Sequence, residues 1–247
     1  MEFTTERPLD AQTVHLWWAT DRGLNSEILK EHYLHQLTGE EKDRYQRFVF
    51  QKDSDLFLLT RALCRKVLST YVSTDPSNWR FTTNDYGKPA ISAPEAGKFL
   101  EFNLTNTPGL VACMVSDRYH VGVDAEAFNR KSTTMDIAKR FFSKHEFAEL
   151  KTHPPDALTK RFFHYWTLKE AYIKVRGMGM SIPLADFSMI EDADQGIQVM
   201  HHTDGEHTKY NWFFKQCELA EQYILGMSVR LSGPTEPEII IREMPLI

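Results

Sequence analysis

Tyr119-His120-Val121-Gly122-Val123-Asp124-Ala125-Glu126 and Trp166-Thr167-Leu168-Lys169-Glu170-Ala171-Tyr172-Ile173-Lys174 are the two stretches that decide how this chain is read. The first alternates and reads as a strand, so Asp124 and Glu126 project from the same face. The second has a helical period, which makes Glu170 and Lys174 neighbours on one stripe. If this strand and this helix pack together, three carboxylates can converge on one hard cation with an ammonium beside it, a site for handling phosphate. Taken singly, each has an ordinary explanation. Asp-x-Glu commonly ends a solvent-facing strand, and an exposed Glu–Lys pair on a helix contributes only a few tenths of a kcal/mol. The context argues otherwise. Phe162, Phe163, Tyr165, Trp166, Leu168, Ala171, Tyr172, Ile173 and Val175 leave the helix apolar nearly all round, so it is expected to be largely buried. An ionised carboxylate there is costly unless paired or metal-bound.

Working outward, the motif helix is expected from about Ala157 to Arg176, with Gly177 as its C-cap. A long helix is expected from Ser132 to Leu150, broken near Ser143-Lys144, before the Thr152–Asp156 break. Upstream, Val14–Ala19 reads as an opening strand. Helices follow from Asn25 or Ser26 to Leu37, from Thr38 through Val49, and from about Asp53 to Tyr71. Residues 78–83 alternate like a strand and end in the turn Asn84-Asp85-Tyr86-Gly87. Phe99–Asn103 and Leu110–Ser116 read as two strands joined by a loop through Thr105–Gly109. After Phe187, short strand-like runs such as Trp212–Phe214 and Tyr223–Leu225 alternate with turns. This order suggests an α+β protein of two similar halves meeting near residues 117–120.

With 247 residues and 42% apolar content the chain can bury one large core or two modest ones. Its net charge of −5 provides no global basic field, which argues against a nucleic-acid partner. No apolar run approaches the roughly 18–20 residues of a membrane span, and the start shows no secretory pattern. Cys64, Cys113 and Cys217 lack CxxC spacing and read as free thiols, so a cytoplasmic protein is expected. Ten histidines lack the company a zinc site needs, and no G-x-S-x-G elbow or nucleotide-binding glycine motif is present. A nucleophile supplied by a substrate is therefore expected. Lys42, Arg44, Arg47, Lys52, Arg61, Arg65 and Lys66 make residues 42–66 locally basic. That segment is either a solvated helix face or a wall for an anionic ligand.

Gly-Val-Asp-x-Glu followed some 40 residues later by Trp-Thr-x-Lys-Glu-Ala-x-x-Lys resembles the signature pair of the Sfp-type 4′-phosphopantetheinyl transferases. Tyr86–Pro89, Phe102–Asn106, Ala138–Ser143 and Gly179–Leu184 resemble further family motifs in the family's order. The resemblance implies two pseudo-symmetric α/β halves, residues 1–118 and 119–247, with the active site between them. It implies transfer of the phosphopantetheine arm of coenzyme A to a serine of an apo acyl or peptidyl carrier protein, releasing 3′,5′-ADP. It implies Mg²⁺, with Mn²⁺ as the alternative, on Asp124, Glu126 and Glu170. Lys174 would hold a pyrophosphate oxygen, and Glu170 or a metal-bound water would take the serine proton. Lys88, Thr105, Asn106, Lys174, Arg44, Arg47 and Arg61 would contact coenzyme A, the first half carrying the basic wall, and Trp166 would pack. The family often has Ser-His where this chain has Thr105-Asn106, so an uncharged amide replaces an imidazole. A monomer without membrane or nucleic-acid partners is implied. A metal-dependent phosphohydrolase and a non-catalytic coenzyme A or carrier-protein binding module are the rival readings.

Overall fold

A computed structural model describes residue 9, residues 12–128 and residues 134–247. It divides into two compact units, one of Met1–Asn84, Pro89–Arg118 and Pro237–Ile247, the other of Asp85–Lys88 and Tyr119–Glu236. Two segments therefore depart from a single cut after residue 118. The tail departs because its strand β11 (Glu238–Glu243) pairs in parallel with the opening strand β1 (Thr13–Thr20), from Thr13↔Glu238 to Trp18↔Glu243. Residues 85–88 depart because Lys88 Nζ donates to the Val175 carbonyl of the second unit.

In the first unit β1 lies between β11 and β5 (Leu110–Ser116), and β4 (Glu101–Thr107) completes the sheet. Every residue of β5 is buried, as expected for a strand covered on both faces. Helix α3 (Gln51–Tyr71) presses Leu58, Leu59, Ala62, Leu63, Val67 and Leu68 into the core with Trp17, Trp79 and Phe102. Helix α1 (Ser26–Tyr33) starts at Asn25, whose side chain accepts from the Ile28 amide, and its expected end at Leu37 is a tighter 3₁₀ turn over Leu34–Gln36. Helix α2 (Gly39–Gln46) starts at a Thr38/Glu41 capping box and stops before Val49. A separate hairpin pairs β2 (Arg80–Thr83) with β3 (Pro89–Ala93). The expected loop through Thr105–Gly109 is corrected: β4 continues to Thr107, because Thr105 and Asn106 pair with Ala112 and Val111 and only Pro108-Gly109 turns. Gly109 adopts φ 89 there.

The second unit is built on the sheet β6 (His120–Ala127), β10 (Tyr223–Arg230) and β9 (Trp212–Leu219), in that order, with α6 (Pro155–Arg176) lying on β6 and β10. Helix α6 ends at Gly177 in the left-handed conformation, φ 67, whose amide closes on the Ile173 and Lys174 carbonyls. The expected break near Ser143 is real: α4 (Thr134–Phe141) stops and α5 (Lys144–Leu150) starts at a Ser143/Glu146 capping box. The expected start at Ser132 lies outside the described residues. A hairpin of β7 (Phe187–Asp192) and β8 (Gly196–His201) flanks α6. Among the described residues no helix is long and apolar enough to cross a membrane.

Candidate active site

Two glycines bring α6 down onto the sheet. A Cβ on Gly122 would fall on the Ala171 carbonyl oxygen and 2.7 Å from the Val175 nitrogen. One on Gly226 would sit 2.5 Å from the Thr167 carbonyl. Gly226 pairs with Asp124 and Gly122 with Ser228, so these bare positions lie on adjacent strands. Thr167, Ala171 and Val175, at i, i+4 and i+8, form the helix face that rests on them. Glu170 and Lys174 each precede a member of this contact row by one residue, which places them on its flank. Lys174 Nζ reaches Asp124 Oδ1 at 2.6 Å and the Val123 carbonyl at 3.1 Å. The lysine thus closes on the strand carboxylate, and Asp124 is 7% exposed. Lys88 Nζ, bonded to the Val175 carbonyl at 3.3 Å, adds a second ammonium near the last turn of α6.

The charge pattern is unfavourable for the carboxylates alone. Burial pushes the Glu170 carboxyl up to about 7; the negative charge of Asp124 and, less strongly, Glu126 adds to the rise, and Lys174 opposes it. Three carboxylates therefore repel one another across a partly dry site. That donor set, all hard oxygen, fits a divalent cation such as Mg²⁺. Among the described residues no three His, Cys, Asp or Glu side chains are gathered closely enough to close on one ion. Asp124, Glu126 and Glu170 would have to draw together around it.

The remaining expected ligand residues belong to the first unit. Thr105 is buried and Asn106 is exposed, because they alternate on β4. Arg44 and Arg61 both lie against the Phe57 ring, 5.2 and 5.3 Å from its centroid. Arg61 Nε is 3.5 Å from Glu41 Oε1, and fully buried Arg65 reaches Glu41 Oε2 at 2.5 Å. Burial pulls the Arg61 guanidinium down, with Arg65 and Arg44 adding to the effect. One carboxylate thus faces two guanidinium groups directly, and the buried Nε and one terminal nitrogen of Arg65 have no hydrogen-bond partner among the described residues. Arg47 is exposed at the end of α2.

Comparison with known proteins decides what such a site belongs to. Residues 120–228 match the family model of the 4′-phosphopantetheinyl transferase superfamily, and residues 26–117 match that of the 4′-phosphopantetheinyl transferase N-terminal region. The chain is 36% identical over 170 residues to the 4′-phosphopantetheinyl transferase Sfp of Bacillus subtilis, covering 68% of this chain and 72% of that one. It belongs to the 4′-phosphopantetheinyl transferase superfamily, in the Sfp-type branch. The 4′-phosphopantetheinyl transferase ffp of B. subtilis is 32% identical over 223 residues, which is 89% of this chain and 92% of that one. Among solved structures, a holo-(acyl-carrier-protein) synthase from Bacillus anthracis in complex with CoA aligns at 18% identity and a TM-score of 0.39, over 45% of this chain and 94% of that one.

Three features of this phosphopantetheinyl transferase escaped sequence reasoning. Gly226 is a lone glycine in the strand-like apolar run Tyr223–Val229, a pattern that signals close backbone approach. Arg65 was lost in a basic run whose members look alike. Lys169, inside the motif helix, is wholly buried on Glu146 Oε2 at 2.9 Å and on the Leu184 and Phe187 carbonyls at 2.7 and 2.5 Å. No local pattern reveals that pairing, since its partners lie 15 to 23 residues away. Trp166 packs as expected, stacked on Phe162 with ring centroids 5.7 Å apart and edge-on to Phe141.

Proposed function

We propose that the cluster of Asp124, Glu126, Glu170, Lys174 and Lys88 is where this enzyme moves the 4′-phosphopantetheine arm of coenzyme A onto a serine of an apo acyl or peptidyl carrier protein. Membership in the family supports the transfer itself. The observation that carries the assignment of residues is the Lys174–Asp124 contact of 2.6 Å beside Glu170, whose carboxyl burial and neighbouring charge lift to about 7. In the reaction the serine oxygen attacks the phosphorus that bears pantetheine. The bond from that phosphorus to the bridging oxygen breaks, and 3′,5′-ADP departs with the electron pair. Asp124, Glu126 and Glu170 would hold Mg²⁺, or Mn²⁺ in its place, which when bound neutralises pyrophosphate charge. Lys174 and Lys88 carry positive charge to the same oxygens, where phosphoryl transfer gains most. Glu170, on the helix stripe it shares with Lys174, accepts the serine proton.

At the other end of coenzyme A, Arg44, Arg47 and Arg61 are assigned to the 3′-phosphate and ribose, and Thr105 and Asn106 to phosphate oxygens. Arg65 stiffens the guanidinium cluster through Glu41. Arg61→Gln is expected to raise KM for coenzyme A about tenfold with kcat nearly unchanged, as for a charge-assisted contact equal in ground and transition states. An unaltered KM in steady-state assays would remove Arg61 from the site. Three free cysteines support a reducing, cytoplasmic setting, and both family-matched segments lie on one chain, which supports work as a monomer.

The deciding experiment incubates the protein with coenzyme A, Mg²⁺ and apo carrier proteins, then weighs the carriers. One phosphopantetheine added per carrier is expected. No gain on any of several acyl and peptidyl carriers, or coenzyme A cleavage without a carrier, would overturn the reading.

A further inference from the structure

A cavity with an apolar floor and a polar wall lies on the far side of α6. Residues two apart on a helix point in nearly opposite directions. Lys174 therefore turns to β6 while Arg176 turns toward the β7–β8 hairpin. There a cavity of about 180 Å³ is lined by Arg176, Ser181, Asp186, His201, Thr203 and His207 above an apolar floor that includes Ile182 and Phe187. The donors converge. The Arg176 guanidinium lies 5.4 Å from the centre of the Tyr172 ring, and the bond it donates to the Tyr172 hydroxyl is long at 3.5 Å. Among the described residues no carboxylate forms an ion pair with it. His201 Nε2 is fixed by the Tyr172 hydroxyl at 2.8 Å, and the His207 ring meets the His201 ring edge-on at 4.6 Å between centroids.

We propose that this cavity binds a phosphate group, as inorganic phosphate or as the terminal group of a phosphate monoester, between Arg176, His201 and His207. A guanidinium recognises a tetrahedral oxyanion in a forked geometry that a lone ammonium cannot match. Two imidazoles can donate to the remaining oxygens, and the Thr203 hydroxyl supplies a neutral donor that suits either form of the ligand. A divalent cation is disfavoured by the guanidinium that occupies the same space, although Asp186 and two histidines would otherwise attract one. Among the described residues Asp186 is the only carboxylate on the wall, so the lining remains cationic whenever either histidine is protonated. Burial first, and then the charges of His207, Arg176 and His202, hold the His201 imidazolium down to about 4. An anion among these groups would offset the part of that shift that comes from charge. Because Arg176 ends the helix that carries Glu170 and Lys174, occupancy would also fasten the last turn of α6 to the β7–β8 hairpin.

The test is a phosphate titration of the intact protein, followed through the ring C–H signals of His201 and His207 by NMR. Inorganic phosphate, O-phosphoserine and sulfate are run in parallel with Zn²⁺. Saturable, simultaneous shifts of both histidines with phosphate are expected, weakened at least tenfold in Arg176→Gln and in His207→Asn. If O-phosphoserine binds tenfold tighter than inorganic phosphate, the group arrives on a larger ligand; the reverse order identifies the free ion. Should Arg176→Gln fail to fold, His207→Asn alone decides. No saturable shift, equal affinity in His207→Asn, or saturation by Zn²⁺ alone would overturn the proposal.

Discussion

Glu170→Gln and Asp124→Asn are each expected to cut phosphopantetheine transfer by about 10³-fold, the scale of losing one group that stabilises developing charge. The fold should survive both changes. Glu170 sits where burial and the charges of Asp124 and Glu126 disfavour its ionised form, holding the carboxyl near 7. A folded-state value above the usual carboxylate range means that stability falls as pH rises through 7 in the metal-free protein. An uncharged isostere escapes that loss, so Glu170→Gln should unfold at the same temperature as the parent or higher at pH 8. The two properties therefore move in opposite directions, which separates a functional carboxylate from a structural one. Mg²⁺ adds an independent readout. Added at millimolar concentration it should raise the unfolding temperature of the parent by binding the native state, and each substitution should abolish the rise. Undiminished turnover in either variant, or a Mg²⁺ effect that persists in both, would sink the ligand assignment.

Lys169→Met carries the largest expected cost in stability, about 3–5 kcal/mol, because it strands a buried carboxylate. Both partners are 0% exposed. Burial pulls the Lys169 ammonium down while Glu146 supports it. Glu146 also accepts from the Ser143 and Met189 amides, so one carboxylate ties the start of α5, the body of α6 and strand β7 together. Urea unfolding should show the loss, and hydrogen exchange should place it at the amides of Met189 and the middle of α6. Replacing both partners, as in Lys169→Met with Glu146→Gln, should recover part of the stability, because a neutral amide no longer leaves a charge uncompensated. A loss below about 1 kcal/mol for Lys169→Met would show that the pair contributes little.

The elements of the site were legible because their signals are local. Alternation marked β6, the apolar surround marked α6, Gly177 marked its end, and Ser143 with Glu146 three residues on marked the start of α5. Thr105 and Asn106 read as loop from sequence because polar residues at a strand end resemble turn residues, and only pairing with β5 makes them strand. The return of residues 238–243 to β1 was equally hidden, since parallel pairing across more than 200 residues leaves no mark in either strand.

Spacing and residue type by themselves determined that Asp124 and Glu126 share a strand face and that Glu170 and Lys174 share a helix stripe, since backbone periodicity dictates both. Whether those two elements touch was decided only in three dimensions. Gly122 and Gly226 lack the Cβ that would hold the helix away, and so Lys174 reaches Asp124. Burial then did what composition cannot: it turned Lys169 into an internal tie and raised Glu170 toward neutrality, because the free energy of a charge depends on what surrounds it rather than on its place in the chain.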